Sequence, residues 1–391
     1  MADDRWGAGR DFLLPVRGEG GAKRRMRGAD VPTLFGDGAS APLIRPRFAG
    51  PPSPASGRRS RPAFLFSVFC LLCSVCAPAL ALDKVTFATN WRAQAEHGGF
   101  YQAVADGTYA RHGLDVTILQ GGPQTNARLL LAAGRVDFAM GANLIQTFEA
   151  VKQNIPVVDV AAMFQIDPVV FLSHPGVGLD RFEDLPKATA FVANDMLVSV
   201  FQWMKQAHGF REEKVKPYGF NQAPFIADKN SIEEGYLTSE PYQVERVAGF
   251  KPNVFLLADY GYDSYSTTIL APAETIAKNP ELVQRFVDAS IIGWRNYLHG
   301  DNRAANALIK KDNPEMTDGL LAYSVEKLIE RGVVDSGDAR TGGVGVMTDA
   351  RVKSFFDKMV KAGVVPADLP YKKGYTLQFV GKGVGVEPAT K

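Results

Sequence analysis

Cysteine is scarce in this sequence: three in 391 residues, Cys70, Cys73 and Cys76, all inside one apolar run at 64–80. Their spacing suggests C-x-x-C, but metal and redox motifs need polar, structured surroundings. Arg58, Arg59 and Arg61 precede the run, and Ala79-Leu80-Ala81 closes it as a small-x-small cleavage site, which is the layout of a secretory signal. The 17 apolar residues are at the short limit for a membrane span. Residues 58–81 are therefore read as a signal peptide. Residues 1–57, rich in Gly, Pro and Arg, read as a disordered leader that a start codon placed too far upstream would explain. Cleavage after Ala81 leaves 310 residues without a cysteine and puts the chain in the periplasm. Disulfides, thiolate metal sites and cysteine nucleophiles are then excluded.

Other absences narrow the field further. No G-x-G-x-x-G or G-x-x-x-x-G-K-[ST] is present, so no phosphate cradle is marked, and neither G-x-S-x-G nor H-E-x-x-H occurs. The five histidines are scattered, and no metal ligand set is expected. The formal charge of +2 hides an asymmetry: 12 basic and 6 acidic residues in 1–81 leave 32 basic and 36 acidic in 82–391. A mildly acidic body gives no electrostatic reason to bind nucleic acid. No catalytic residue and no cofactor are indicated. Hydrophobic residues at 46% and charged residues at 22% are normal for a globular protein with a sizeable core.

What is present alternates between strand and helix. Strands are predicted at 84–89, 114–119, 136–140, 157–164 and 169–173. The predicted helices are 98–112, one ending at Gly134, and one running through Lys152. The pattern restarts after His174-Pro175-Gly176, with strands at 188–193, 215–220, 234–238, 254–258 and 266–270 and helices at 195–208 and from Pro241. From Glu274 the chain turns helical. Such alternation predicts an α/β protein of two lobes with mixed or parallel sheets and helices on both faces: lobe 1 from 83–172 and 268–391, lobe 2 from 173–267 inserted into it. Ligands bind in the cleft of such folds.

Several stretches carry a resemblance: Asn90-Trp91, His97-Gly98-Gly99-Phe100-Tyr101, Gly107 to Val116, Ala133 to Phe138, Thr238-Ser239-Glu240-Pro241-Tyr242, and Lys278-Asn279-Pro280-Glu281. Over nearly all of 83–300 the chain resembles the family that joins periplasmic thiamine-pyrimidine-precursor-binding proteins to fungal thiamine pyrimidine synthases. It is similar, more loosely, to the alkanesulfonate, taurine and nitrate binding proteins. The resemblance implies a type II periplasmic binding fold and a ring-shaped ligand stacked on aromatic side chains and held by carboxylates and amides. It also implies an ABC permease of the inner membrane as partner, and the chain is expected to act as a monomer. The fungal enzymes carry a cysteine cluster shortly before the Lys278 segment, where 263–268 here has none. That departure points away from their iron-dependent chemistry, which consumes a histidine and a bound pyridoxal phosphate, although His97 stands where that histidine would be.

Eight residues are singled out as ligand contacts. Trp91 follows a strand end and can stack on a heteroaromatic ring, with a core tryptophan as the alternative. His97 can hydrogen-bond a ring nitrogen or a carboxylate, and Tyr101 is one helical turn on. Asn143 and Asn194 open helices at strand ends and serve either as caps or as polar contacts. Glu240 can accept from an exocyclic amino group, and Tyr242 shares its segment. Tyr262 belongs to a group of five tyrosines between 236 and 265, which suits an amphipathic cleft wall. The expected function is a substrate-binding protein for a pyrimidine-like thiamine precursor. The alternatives are a thiamine pyrimidine synthase-like enzyme and a binder of a sulfonate, a nitrate-like anion or a flavin.

Overall fold

The computed structural model describes residues 81–122, 125–219 and 221–385. The expected leader, the apolar run and its three cysteines lie outside the described residues. Ten strands form two five-stranded sheets. The first has the order β2-β1-β3-β10-β4, with β1 at Asp83–Ala88, β2 at Leu114–Leu119, β3 at Phe138–Asn143, β4 at Val157–Phe164 and β10 at Ser266–Pro272. The second has the order β7-β6-β8-β5-β9, with β5 at Val169–Ser173, β6 at Thr189–Val192, β7 at Val215–Pro217, β8 at Ser231–Tyr236 and β9 at Asn253–Leu256. Both sheets are mixed. β1 runs parallel to β2 and β3 while β10 is antiparallel to β3 and β4; β6 runs parallel to β7 and β8 while β5 is antiparallel to β8 and β9.

Burial explains the strand compositions. β3 and β5 are buried at every residue, as strands covered on both faces must be, and both read as continuous apolar runs. β2, at a sheet edge, exposes alternate residues. Because β10 inserts between β3 and β4, the segment 165–265 is an excursion from the first sheet that builds the second. The chain crosses at 165–168 and returns at 257–265. Residues 169–172, assigned to the first lobe on sequence, pair with β8 and β9 of the second sheet, so the crossing falls a few residues earlier. Sequence cannot separate two consecutive apolar strands by their partners.

Two predicted helices break. The 98–112 segment divides into Gly98–Ala105 and Thr108–Arg111, because Gly107 is left-handed (φ 73°) and the Asp106 carboxylate accepts the Thr108 N–H at 2.9 Å. The 195–208 segment divides at Ser199, whose hydroxyl donates to the Asp195 carbonyl at 2.7 Å. The helix Pro280–His299 forms the spine of the first core. Its Phe286 ring stacks on Phe138 (4.3 Å between centroids) and on Tyr109 (5.3 Å). Gly98 and Gly99 let the helix they open lie against it, since a Cβ would stand 2.1 Å from the Tyr297 ring at one and 2.2 Å from Trp294 at the other.

A second apolar cluster joins Phe148, Phe171, Phe201, Tyr262 and Phe355, so it draws on elements of both sheets and on the helix Asp349–Lys361. Among the described residues no helix is long and apolar enough to cross a membrane.

Candidate functional site

A cavity enclosing about 780 Å³, counted out to its open mouth, lies between the two sheets. Its walls come from the C-terminal ends of parallel strands: Asn90 and Trp91 after β1, Met140 to Asn143 on β3, Ala193 after β6, Tyr218 after β7, and Glu234 to Tyr236 on β8. Open α/β sheets present ligand contacts at this edge.

The turn after β1 is tightly held. Thr89 Oγ1 and the Gly121 N–H both donate to the Trp91 carbonyl, at 2.8 and 3.0 Å. The Trp91 side chain packs against the apolar cluster of the second sheet, which includes Val170, Phe191 and Tyr218. The Gln94 N–H donates to His97 Nδ1 at 3.3 Å, so in the neutral ring the proton is on Nε2. Burial lowers the His97 pKa to about 3 and keeps the ring neutral.

Carboxyl groups dominate the polar lining: Glu96, Asp167, Asp195, Glu234 and Glu240. Glu96 accepts from Thr238 Oγ1 and Asp195 from Gln146 Nε2 at 2.7 Å; both bonds tie an element carrying the first sheet to one carrying the second. Glu240 accepts the Tyr236 N–H at 2.8 Å and the Tyr218 hydroxyl at 3.2 Å. Gly235 makes room for it, because a Cβ there would stand 2.6 Å from Glu240 Cβ. Burial raises the pKa of Asp167 to about 8 and of Glu240 to about 7, and it also raises Glu96 and Glu234. Behind the lining, Glu233 is pushed up to about 9 by burial, with the Glu240 and Glu234 charges adding to it. Among the described residues, no group of three or more His, Cys, Asp or Glu side chains could hold a metal ion.

Of the eight residues singled out on sequence, the cavity brings together Trp91, His97, Asn143 and Glu240. Asn143 also caps the helix Leu144–Lys152 by accepting the Gln146 N–H. The other four lie elsewhere. Tyr101 points away and donates to Asp312 Oδ2 at 2.7 Å. Tyr242 packs on Tyr323 with ring centroids 5.1 Å apart. Tyr262 is fully buried between Trp203 and Phe355 in the cluster that joins the sheets. Asn194 is exposed, and its neighbours Ala193 and Asp195 line the cavity in its place. Asn90, Glu96, Asp167, Tyr218, Glu234 and Tyr236 were not singled out. The available signals were position and grouping: Asn90 and Glu96 flank Trp91 and His97, Glu234 to Tyr236 open the strand predicted at 234–238, which the structure places at Ser231–Tyr236, and Tyr236 is one of the five tyrosines grouped on sequence.

Two mixed sheets with helices around them and a cavity between their strand ends define the periplasmic binding protein fold. A Candida albicans protein of that generic fold aligns with a TM-score of 0.54 at 14% identity, over 79% of this chain and 100% of that one. The alkanesulfonate-binding protein of Xanthomonas axonopodis pv. citri, bound to MOPS, aligns with a TM-score of 0.53 at 12% identity, over 75% and 98%. The chain belongs to the NMT1/THI5-like family, which matches residues 94–304. The riboflavin-binding protein RibY of Chloroflexus aurantiacus is 27% identical over 77% of this chain and 87% of its own length. The formylaminopyrimidine-binding protein of Halalkalibacterium halodurans is 25% identical over 59% and 71%. The 4-amino-5-hydroxymethyl-2-methylpyrimidine phosphate synthase of Schizosaccharomyces pombe is 28% identical over 54% and 64%.

Proposed function

We propose that the protein is the periplasmic receptor of an ABC importer, closing two lobes over one pyrimidine-like thiamine precursor and handing it, as a monomer, to an inner-membrane permease. The observation that carries this reading is the cavity itself, where the Trp91 indole stands among buried carboxyl, amide and phenol groups. An indole stacked on a heteroaromatic ring contributes about 0.5–1.5 kcal/mol beyond burial. His97 Nε2–H, Asn143 and Glu240 are the groups that read the ring's nitrogen and amino edges, with Asn90 and Tyr218 beside them. The mechanism is lobe closure and population shift, with no covalent chemistry. The relatives named for riboflavin and for formylaminopyrimidine support a planar nitrogen heteroaromatic over the sulfonate of the Xanthomonas neighbour.

A synthase reading is favoured by the similarity to the Schizosaccharomyces enzyme and by His97, which lines the cavity at the position the resemblance gives to the reacting histidine. Residues 82–391 hold no cysteine, which removes the cluster that the resemblance assigns to those enzymes. A thermal-shift screen of the full-length protein separates the readings, with aminopyrimidines, riboflavin, taurine, nitrate and pyridoxal phosphate as probes. A ligand at a hundred times its Kd adds about 2.7 kcal/mol of stability. Stabilisation by an aminopyrimidine is the expected result, and stabilisation by pyridoxal phosphate alone would refute the receptor reading.

A further inference from the structure

Among the described residues, the cavity is lined by five carboxylic acids and by no lysine or arginine. Two of those acids are incompletely satisfied. Glu96 is 3% and Glu234 8% exposed, and Glu96 Oε2 and Glu234 Oε2 are both buried without a partner, as is Asn90 Oδ1. Asn90 Oδ1 accepts hydrogen bonds, as do the two carboxyl oxygens once ionised, and a buried acceptor without a donor is destabilising until one arrives; until then burial favours the protonated acids. They also come from opposite sides: Glu96 lies in the turn that follows the first sheet's β1, whereas Glu234 is on β8 of the second sheet. The Arg128 guanidinium lines a separate small cavity that also holds Asp159, its Nη1 donates to the Gln146 carbonyl at 2.9 Å, and of the five lining acids its charge reaches Asp195.

We infer that the cavity selects a ring bearing an amino or cationic edge, whose hydrogens reach Glu96 Oε2 and Glu234 Oε2 together and so hold the two sides closed, and that it rejects the phosphate ester of the same ring. A phosphate group would bring more negative charge among five acids and would replace the ring's hydroxyl donor with acceptors. The neutral Nε2–H of His97 offers it a single donor without a charge. This inference rests on the cavity being the ligand site, but it is independent of which amino-bearing ring is bound.

Isothermal titration calorimetry on the full-length protein tests it with 4-amino-5-hydroxymethyl-2-methylpyrimidine, its phosphate, thiamine, riboflavin and taurine as probes. The expected result is binding of the free pyrimidine or of thiamine at least tenfold tighter than the pyrimidine phosphate. Glu96→Gln and Glu234→Gln should each weaken that binding about tenfold, because the new amide hydrogens face the ligand's own. Wild-type discrimination between alcohol and ester needs no variant, so a poorly folding variant leaves the inference testable. Binding of thiamine but not of the pyrimidine would sustain the inference while refuting the pyrimidine assignment. Equal or tighter binding of the phosphate or taurine overturns it, as do riboflavin binding that both variants leave unchanged and the absence of binding by every amino-bearing ring.

Discussion

Asp167 offers a test of the cavity's electrostatics that needs no ligand. It lies in the crossing between β4 and β5, is 1% exposed, and accepts one hydrogen bond, the Val169 N–H at 3.3 Å. Burial raises its pKa from 3.8 to about 8. Between those values the folded protein holds a proton that the unfolded chain has lost. Its contribution to stability is therefore fully present below about pH 4 and lost as the pH rises to about 8. Each pH unit inside that window costs about 1.4 kcal/mol per such group. His97 acts in the opposite sense. Its folded pKa of about 3 costs stability as the pH falls below 6.5, so above about pH 7 it contributes almost no slope. From pH 7 to 8 the Asp167 proton becomes half released, so this group should remove about 1 kcal/mol, and Glu233, with its pKa at about 9, should remove a comparable amount. Asp167→Asn keeps the side-chain shape and deletes one titration. Urea unfolding at pH 7.0, 7.5 and 8.0 should show the wild type losing about 1 kcal/mol relative to the variant over this range. Parallel lines would mean that Asp167 is already ionised in the folded protein, and the argument for a low-dielectric acid cluster would fail with it.

Four substitutions test the geometry. Trp91→Ala should weaken ligand binding about tenfold, the equivalent of ~1.4 kcal/mol of lost stacking and burial, read by calorimetry. Gly99→Ala should cost about 1–3 kcal/mol in urea unfolding, because its Cβ would meet the Trp294 ring at 2.2 Å. Gly235→Ala should displace Glu240, whose Cβ would stand 2.6 Å from the new methyl group, and so reduce ligand affinity more than global stability. Tyr101→Phe should remove the bond to Asp312, cost about 1 kcal/mol, and leave ligand affinity unchanged; a tenfold loss of affinity would return Tyr101 to the site.

The strands were legible because their signal is local. Val157–Phe164 and Val169–Ser173 appear at the predicted bounds, since a run of apolar, β-branched residues between turn formers leaves few alternatives. The helix breaks at Gly107 and Ser199 were not legible, because each depends on one side chain, Asp106 or Ser199, bonding to the backbone instead of continuing the helix. Which sheet β5 joins depends on partners 59 to 86 residues away, Tyr236 and Leu256 among them, and periodicity holds no information at that distance.

Site residues were legible where a motif sat beside a strand end, as Trp91 and His97 do, and illegible where the decisive property was burial. Tyrosines between 236 and 265 looked like a cleft wall, yet Tyr262 packs under Phe355 on a helix nearly a hundred residues later. Nothing in the sequence sets Glu96, Asp167 and Glu234 apart from other acids, because a carboxylate normally belongs in water. Their burial together makes them informative. The same backbone architecture serves an alkanesulfonate-binding neighbour, so the fold cannot by itself choose the sign of the ligand's charge. The choice rests on side chains that the fold leaves free to vary. A cavity keeping five acids and no lysine or arginine in its lining is destabilised by its own charge at neutral pH unless protons or a donor-bearing ligand neutralise it. Protons do so in the empty protein and the ligand's own hydrogens in the filled one, so ligand binding should release protons into the buffer. Calorimetry in buffers of different ionisation enthalpy measures that release directly, and an apparent binding enthalpy that does not change with the buffer would refute the exchange.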